Sequence, residues 1–207
     1  MGAAMVVVLC LIPVAYLVGT FPSAALVART RGIDILSAGS GNPGASNTTR
    51  LLGWRLGLVV LLADIGKGAA AAGAGSALDG HRGAYILGVA AVLGHVFPVT
   101  RRFKGGRGVA TAAGAVAVVF PLVILVLGVV WFVIARGLRR ASIASLVCAV
   151  LFPTVVAVRG SSWGDIAVAS GLGLLVIARH LSNLRRLIRG EEHRLGGSAD
   201  GGGSVAA

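Results

Sequence analysis

The chain has 207 residues, of which 56% are hydrophobic, only 13% are charged and 32 are Gly, and its mean hydropathy is +0.90. Soluble domains carry about 25% charged residues, so a deficit this large together with long apolar runs excludes an ordinary soluble enzyme and points to the bilayer as solvent. The net charge of +12 has two readings: a surface for nucleic acid, or the Lys and Arg that membrane proteins collect in cytoplasmic loops.

Apolar segments run over 5–27, 56–77, 84–99, 109–135, 141–158 and 163–178. A helix that spans the bilayer needs about 20 residues, and most of these qualify. The first segment lacks a basic leader and is followed by Arg29 and Arg31, so it reads as a retained span and not as a cleaved signal. The fourth has 27 residues with Pro121 near its centre, and proline marks either a bend or a turn between two short helices.

Charge separates the two. With the N-terminus outside and the fourth segment folded as a pair of short helices, sixteen basic residues fall inside, only Arg82 and Arg159 fall outside, and Lys67 lies within a span. With one continuous helix the division becomes nine against nine. The excess of Lys and Arg on the cytoplasmic side selects the first arrangement.

The sequence therefore predicts an all-α polytopic membrane protein. It has seven transmembrane helices, the fourth and fifth short or re-entrant, with the N-terminus outside and the C-terminus cytoplasmic. Residues 1–195 read as a single integral-membrane domain, and the Gly, Ser and Ala tail over 196–207, with nothing to bury, reads as disordered. Basic residues spread over every inner loop without interleaved aromatics argue against nucleic acid as a partner. Cys10 and Cys148 sit in apolar runs without paired spacing and read as small core residues.

Three polar, glycine-rich segments fall on the same expected side. The first is Gly39-Ser40-Gly41-Asn42-Pro43-Gly44-Ala45-Ser46-Asn47 with Arg50 following. Closely spaced glycines let backbone N–H groups converge on an anion, and a guanidinium nearby supplies charge. The same residues equally make a flexible turn. The second is Lys104-Gly105-Gly106-Arg107-Gly108-Val109-Ala110-Thr111, which leads into a helix whose N-terminal amides favour an anion. It lacks the Walker A order, so nucleotide binding does not follow, and its bland reading is a basic hinge.

The third segment runs from Arg179-His180 through Asn183 to Arg185-Arg186 and on to Glu191-Glu192. On a helix His180 and Asn183 share a face, which suits a small polyol phosphate, while either Glu reads as a partner for a neighbouring Arg. Ser142, behind Arg139 and Arg140, reads as a helix cap or as a donor to a substrate anion. Within spans, Asp64 and Lys67 stand three apart and read as a functional pair or as structural glue. His95 reads as a hydrogen-bonding group between helices, not as a metal ligand.

Gly19-Thr20-Phe21-Pro22-Ser23 ahead of the first loop, Asp64-Ile65-Gly66-Lys67-Gly68, the run from Gly94-His95 to Thr111, and the run from Arg179 to Glu192 occur in that order. Together they resemble the bacterial acyl-phosphate:glycerol-3-phosphate acyltransferase family (PlsY), over nearly the whole chain to about Arg194.

The resemblance implies an inner-membrane enzyme with its site at the cytoplasmic face. It moves a fatty acyl group from acyl phosphate to the sn-1 hydroxyl of glycerol 3-phosphate, giving lysophosphatidic acid, the first acylation of phospholipid synthesis. It implies no cofactor and no metal, membrane lipid as surroundings, and an upstream enzyme that forms acyl phosphate. It casts Ser40, Arg50, Lys104, His180 and Asn183 as catalytic. It assigns substrate binding to Gly41, Asn42, Gly44, Ala45, Ser46, Asn47, Gly105, Gly106, Arg107, Gly108, Thr111, Ser142 and Glu192.

It further implies that a substrate phosphate helps to deprotonate the attacking hydroxyl, with His180 the base to suspect otherwise. Three positions depart from the family pattern: Arg107 where Lys is usual, Ser46 where Thr is usual, and Leu36 where Arg is common. At the residue level the rival readings are a permease or binding protein for an organic phosphate and a scaffold whose loops only bind anionic lipid. The absence of a repeated half weighs against the permease.

Overall fold

The computed structural model describes residues 2–195, and every regular element among them is helical. The elements are α1 (Ala3–Gly19), α2 (Ser23–Arg29), α3 (Ala45–Leu52), α4 (Trp54–Val96), a 3-10 turn (Val99–Arg101), α5 (Val109–Val119), α6 (Pro121–Leu138), α7 (Ala141–Val158), α8 (Trp163–Arg179) and α9 (Leu181–Ile188). The tail over 196–207 lies outside the described residues.

The long α4 is two arms. Asp79 (φ −142°, ψ 34°) and Gly80 (φ 56°, ψ −141°) leave helical geometry, the latter in a region open essentially to glycine. A Cβ on Gly75 would lie 2.0 Å from the carbonyl oxygen of Gly83. Residues eight apart in a straight helix are about 12 Å apart along the axis, so the chain reverses here and the arms lie side by side. The apolar segment expected over 84–99 is the second arm, cut short at Val96 because Pro98 cannot continue a helix.

Close backbone contact at small residues assembles the rest. A Cβ on Gly19 would meet the carbonyl of Ala91 at 2.0 Å, and one on Gly94 that of Tyr16 at 2.0 Å, so α1 lies tightly on the second arm. Gly68 against Thr111 and Gly114 against Ile65, each 2.0 Å from a carbonyl oxygen, do the same for the first arm and α5. In lipid no hydrophobic force joins helices, so packing at small residues takes its place. The high glycine content has this use.

The segment expected over 109–135 divides at Phe120 (φ −131°, ψ 66°), with Pro121 opening α6. The chain reverses here as well. α5 starts beside the loop clamped by Arg179, and α6 ends beside the C-terminal segment, where the Leu195 N–H donates to the Arg139 carbonyl at 2.6 Å. The Phe120 end lies elsewhere, with its ring against His81, Tyr85 and Phe152 and under the Arg159 guanidinium. One end of the molecule thus gathers the turns at 79–82, 120 and 159–165, and the other gathers the glycine loops and the C-terminal segment.

By length and composition four helical stretches among the described residues are apolar enough to cross a membrane, or five if α8 and α9, bent by 53°, count as one. Leu122, Leu125, Val129 and Phe132 of α6 all face outward, an apolar surface that suits lipid. Cys148 is half-buried and its thiol donates to the Leu127 carbonyl. Cys10 corrects the sequence reading: it is exposed on α1. In a lipid-facing helix an apolar neighbourhood in sequence does not mean burial in protein.

Candidate active site

The first glycine loop is closed by one side chain. Asn47 is fully buried; its Oδ1 accepts from the Ser40 backbone N–H (3.0 Å) and from Arg50 Nη1 (3.2 Å), and its Nδ2 donates to the Ala38 carbonyl (3.0 Å). Gly39 (φ 60°) and Gly41 (φ 66°) give the left-handed turns this buckle needs, and Gly39 sits so near Asn47 Oδ1 that a Cβ would lie 2.5 Å away. Gly44 then opens α3, which carries Ser46, Asn47 and Arg50. Ser40, Gly41, Asn42 and Ser46 are half-buried around the rim. Arg50 Nε reaches the Arg194 carbonyl at 3.3 Å, tying this loop to the C-terminal segment.

The second loop rests on a buried polar strut. Asp64 Oδ1 accepts from Ser23 Oγ (2.6 Å) and pairs with Lys67 Nζ (2.9 Å), and His95 Nδ1 stands 3.7 Å away. His95 in turn underlies the loop: a Cβ on Gly106 would lie 2.1 Å from its Nε2, and one on Gly105 2.2 Å from its carbonyl oxygen. The Gly106 N–H donates to that carbonyl at 3.1 Å. From the other side Arg179 donates to the carbonyls of Gly105 (3.2 Å) and Gly106 (3.4 Å) and stacks over Phe97. Gly108 (φ 83°) starts α5, and Thr111 in its first turn is fully buried with an Oγ1 that has no partner.

The third segment supplies a buried acid. Glu192 accepts from Asn183 Nδ2 (2.6 Å) and Arg186 Nε (3.0 Å). Burial pushes its carboxyl up, but the hydrogen bonds from Asn183, Ser142 and Arg186 outweigh that and hold it below the usual glutamate value. The chain bends at His180, which is a junction between α8 and α9 instead of a mid-helix residue. Its Nδ1 lies 2.8 Å from the Val176 carbonyl. A carbonyl only accepts, so the proton sits on Nδ1 and Nε2 is left bare.

These segments meet. Burial pushes the Arg107 guanidinium down to about 10, with Glu192 opposing and Arg186, Arg50 and Arg179 reinforcing, so it remains charged at neutral pH. Burial likewise lowers Arg50, again against Glu192 and with Arg186. Ser142, one residue inside α7 and not its cap, is buried beside Glu192, and Asn183 Oδ1 and Arg186 Nη2 are unpartnered. Buried polar atoms are normally satisfied, so this group of open valences is unusual.

Ser40, Arg50, Arg107, Ser142, His180, Asn183 and Glu192 thus lie around one region. Lys104 is exposed at the edge of the second loop, and its ammonium makes no hydrogen bond or ion pair among the described residues. Among the described residues no three His, Cys, Asp or Glu are grouped to hold a metal ion.

A protein-family model described as glycerol-3-phosphate acyltransferase matches residues 8–190. The chain is 39% identical over 192 residues to the glycerol-3-phosphate acyltransferase of Aquifex aeolicus, covering 90% of this chain and 98% of that one. It is 42% identical over 196 residues to that of Exiguobacterium sibiricum, covering 93% and 95%. Among solved structures it resembles PlsY (YgiH), an integral membrane glycerol 3-phosphate acyltransferase. In the glycerol 3-phosphate form the TM-score is 0.87 at 38% identity, covering 91% of this chain and 96% of that one. In the lysophosphatidic acid form it is 0.84 at 38% identity, covering 90% and 94%. The chain is an all-helical, multi-pass membrane protein, and it belongs to the glycerol-3-phosphate acyltransferase family.

Proposed function

We propose that this protein transfers a fatty acyl group from acyl phosphate to the sn-1 hydroxyl of glycerol 3-phosphate, giving lysophosphatidic acid and phosphate. It acts at the cytoplasmic face of a bacterial inner membrane, in the first acylation of phospholipid synthesis, downstream of an enzyme that makes acyl phosphate. Residues 1–195 form one domain with seven spans: α1, the two arms of α4, α5, α6, α7 and α8. The N-terminus is outside and the C-terminus inside. The reversals at Gly80 and Phe120 support this path, as does the bias of Lys and Arg toward the glycine-loop end.

In the reaction the sn-1 oxygen attacks the acyl carbonyl carbon, the bond from that carbon to the bridging phosphate oxygen breaks, and its electron pair leaves with phosphate. The phosphate takes the hydroxyl proton and departs as hydrogen phosphate. Acyl phosphate is already activated, so the protein's task is alignment and stabilisation of charge.

The loop over 39–47 holds the acyl phosphate through its amides and Ser40, with Arg50 between the two phosphates. Asn47 fixes that loop. Lys104, Arg107, the amides of Gly105 to Gly108 and the start of α5, with the Thr111 hydroxyl beneath them, hold glycerol 3-phosphate. Ser142 and Asn183 bind its polyol, and the bare Nε2 of His180 accepts from the sn-1 hydroxyl and aims it. Glu192 keeps Asn183 and Arg186 in place.

The observation that carries this reading is the convergence of Arg50, Arg107 and Arg186 on Glu192 beside Ser142 and the unpartnered Oδ1 of Asn183. The purified protein in lipid, given glycerol 3-phosphate with either palmitoyl phosphate or palmitoyl-CoA, is expected to form lysophosphatidic acid from palmitoyl phosphate alone. No product from either donor while glycerol 3-phosphate still binds would overturn it in favour of a permease.

A further inference from the structure

Beside Lys67 of the strut, a groove of about 700 Å³ opens between the end of α1, α2 and the 3-10 turn. That volume is ample for a ligand. Its apolar wall includes Leu17, Val18 and Phe21, which are also exposed on the outer flank of the molecule. Its basic lining is Arg29, Lys67 and Arg101. Acyl transfer as derived above uses none of these residues directly; Lys67 enters it only as part of the strut under the second loop.

The cations are not fully engaged. Lys67 is buried, 7% exposed, and its Nζ donates to Asp64 (2.9 Å) and to the Phe21 carbonyl (3.2 Å), which leaves one of the three ammonium donors open. Arg101 Nε is buried with no partner. Asp64 neutralises Lys67, so Arg29 and Arg101 give the groove its net positive charge. Among the described residues no Asp or Glu lines it. A phosphate satisfies these donors, and a hydrocarbon chain covers the apolar wall. A water-soluble phosphate would leave that wall bare.

We propose that this groove binds an anionic phospholipid of the surrounding bilayer, its headgroup phosphate on Arg29, Lys67 and Arg101 and one acyl chain along Leu17, Val18 and Phe21. Leu17, Val18 and Phe21 are exposed, and the inference rests on membrane embedding alone, not on the acyl-transfer reading. Because the Arg101 carbonyl accepts from the Lys104 N–H at 3.0 Å, the lipid sits beside the second glycine loop.

The test is a Phe21→Trp reporter, read as the difference from the parent protein, in phosphatidylcholine vesicles holding brominated phosphatidylglycerol or the same fraction of brominated phosphatidylcholine. Brominated phosphatidylglycerol is expected to quench the reporter more strongly. Arg101→Gln or Arg29→Gln should each lower that preference about five-fold, equivalent to ~1 kcal/mol. Equal quenching by the two lipids would overturn the proposal. So would relief of quenching by excess inorganic phosphate, which would mark a site for soluble phosphate. Native mass spectrometry needs no reporter: wild type should retain one more phosphatidylglycerol than Arg29→Gln, and equal numbers contradict the proposal.

Discussion

Asn47 and Glu192 do similar work from opposite sides of the site, each a buried side chain that fixes others in position. Asn47 was legible as part of a polar loop, but which way its amide turns depends on the Gly39 and Gly41 backbone, and it faces its own loop. The Asp64–Lys67 pair was legible because residues three apart share a helix face. The approach of His95 was not, since it needs the reversal at Gly80. Glu192 was expected to meet an Arg and does, in Arg186. Its place beside Ser142 and Arg107 comes from folding of the C-terminal segment, which no local pattern encodes. Its carboxyl is held below the usual value of about 4.3, so the stability it contributes is full above that pH and is lost as pH falls through the lowered folded value. Wild type is therefore expected to melt above Glu192→Gln at pH 7, with the gap closing below about pH 4. A gap that stays constant with pH in thermal melts would contradict this.

At the scale of elements, glycine sets where helices touch and where loops sit. Apolar runs marked most helices because length and hydropathy suffice for that. Their ends were less visible: Val96 ends α4 ahead of Pro98, and Phe120 divides the fourth segment, as Pro121 suggested. The use of particular glycines was hidden, since a glycine in sequence does not say what it approaches. Gly106 has no room for a methyl group against His95 Nε2, whereas Gly66 in α4 faces open space. A displacement of about 1 Å at a binding loop costs on the order of 100-fold in rate. Gly106→Ala is expected to lose kcat/KM for glycerol 3-phosphate by about that factor, and Gly66→Ala to keep it. Steady-state kinetics showing both variants alike would count against the strut.

For the whole molecule, the two reversals decide which loops share an end. Charge bias anticipated the second of them, because only a returning pair keeps Arg136, Arg139 and Arg140 at the same end as the basic residues of the glycine loops. The groove beside Lys67 was beyond sequence, as its lining comes from α1, α2, α4 and the 3-10 turn at once. With Cys10 and Cys148 replaced, a cysteine at Pro121 should react with an impermeant thiol reagent from outside intact vesicles. Labelling only from inside would make α5 and α6 a re-entrant pair entering from the cytoplasm. The central claim is that the glycine loops and the C-terminal segment form one acyl-transfer site, and Ser40 stands in it without contributing its hydroxyl to any described bond. The most direct measurement is the rate of lysophosphatidic acid formation from palmitoyl phosphate by Ser40→Ala in lipid, beside wild type of equal melting temperature. A loss of about 100-fold or more is expected for removal of a donor at the reacting groups. A rate equal to wild type would contradict the claim.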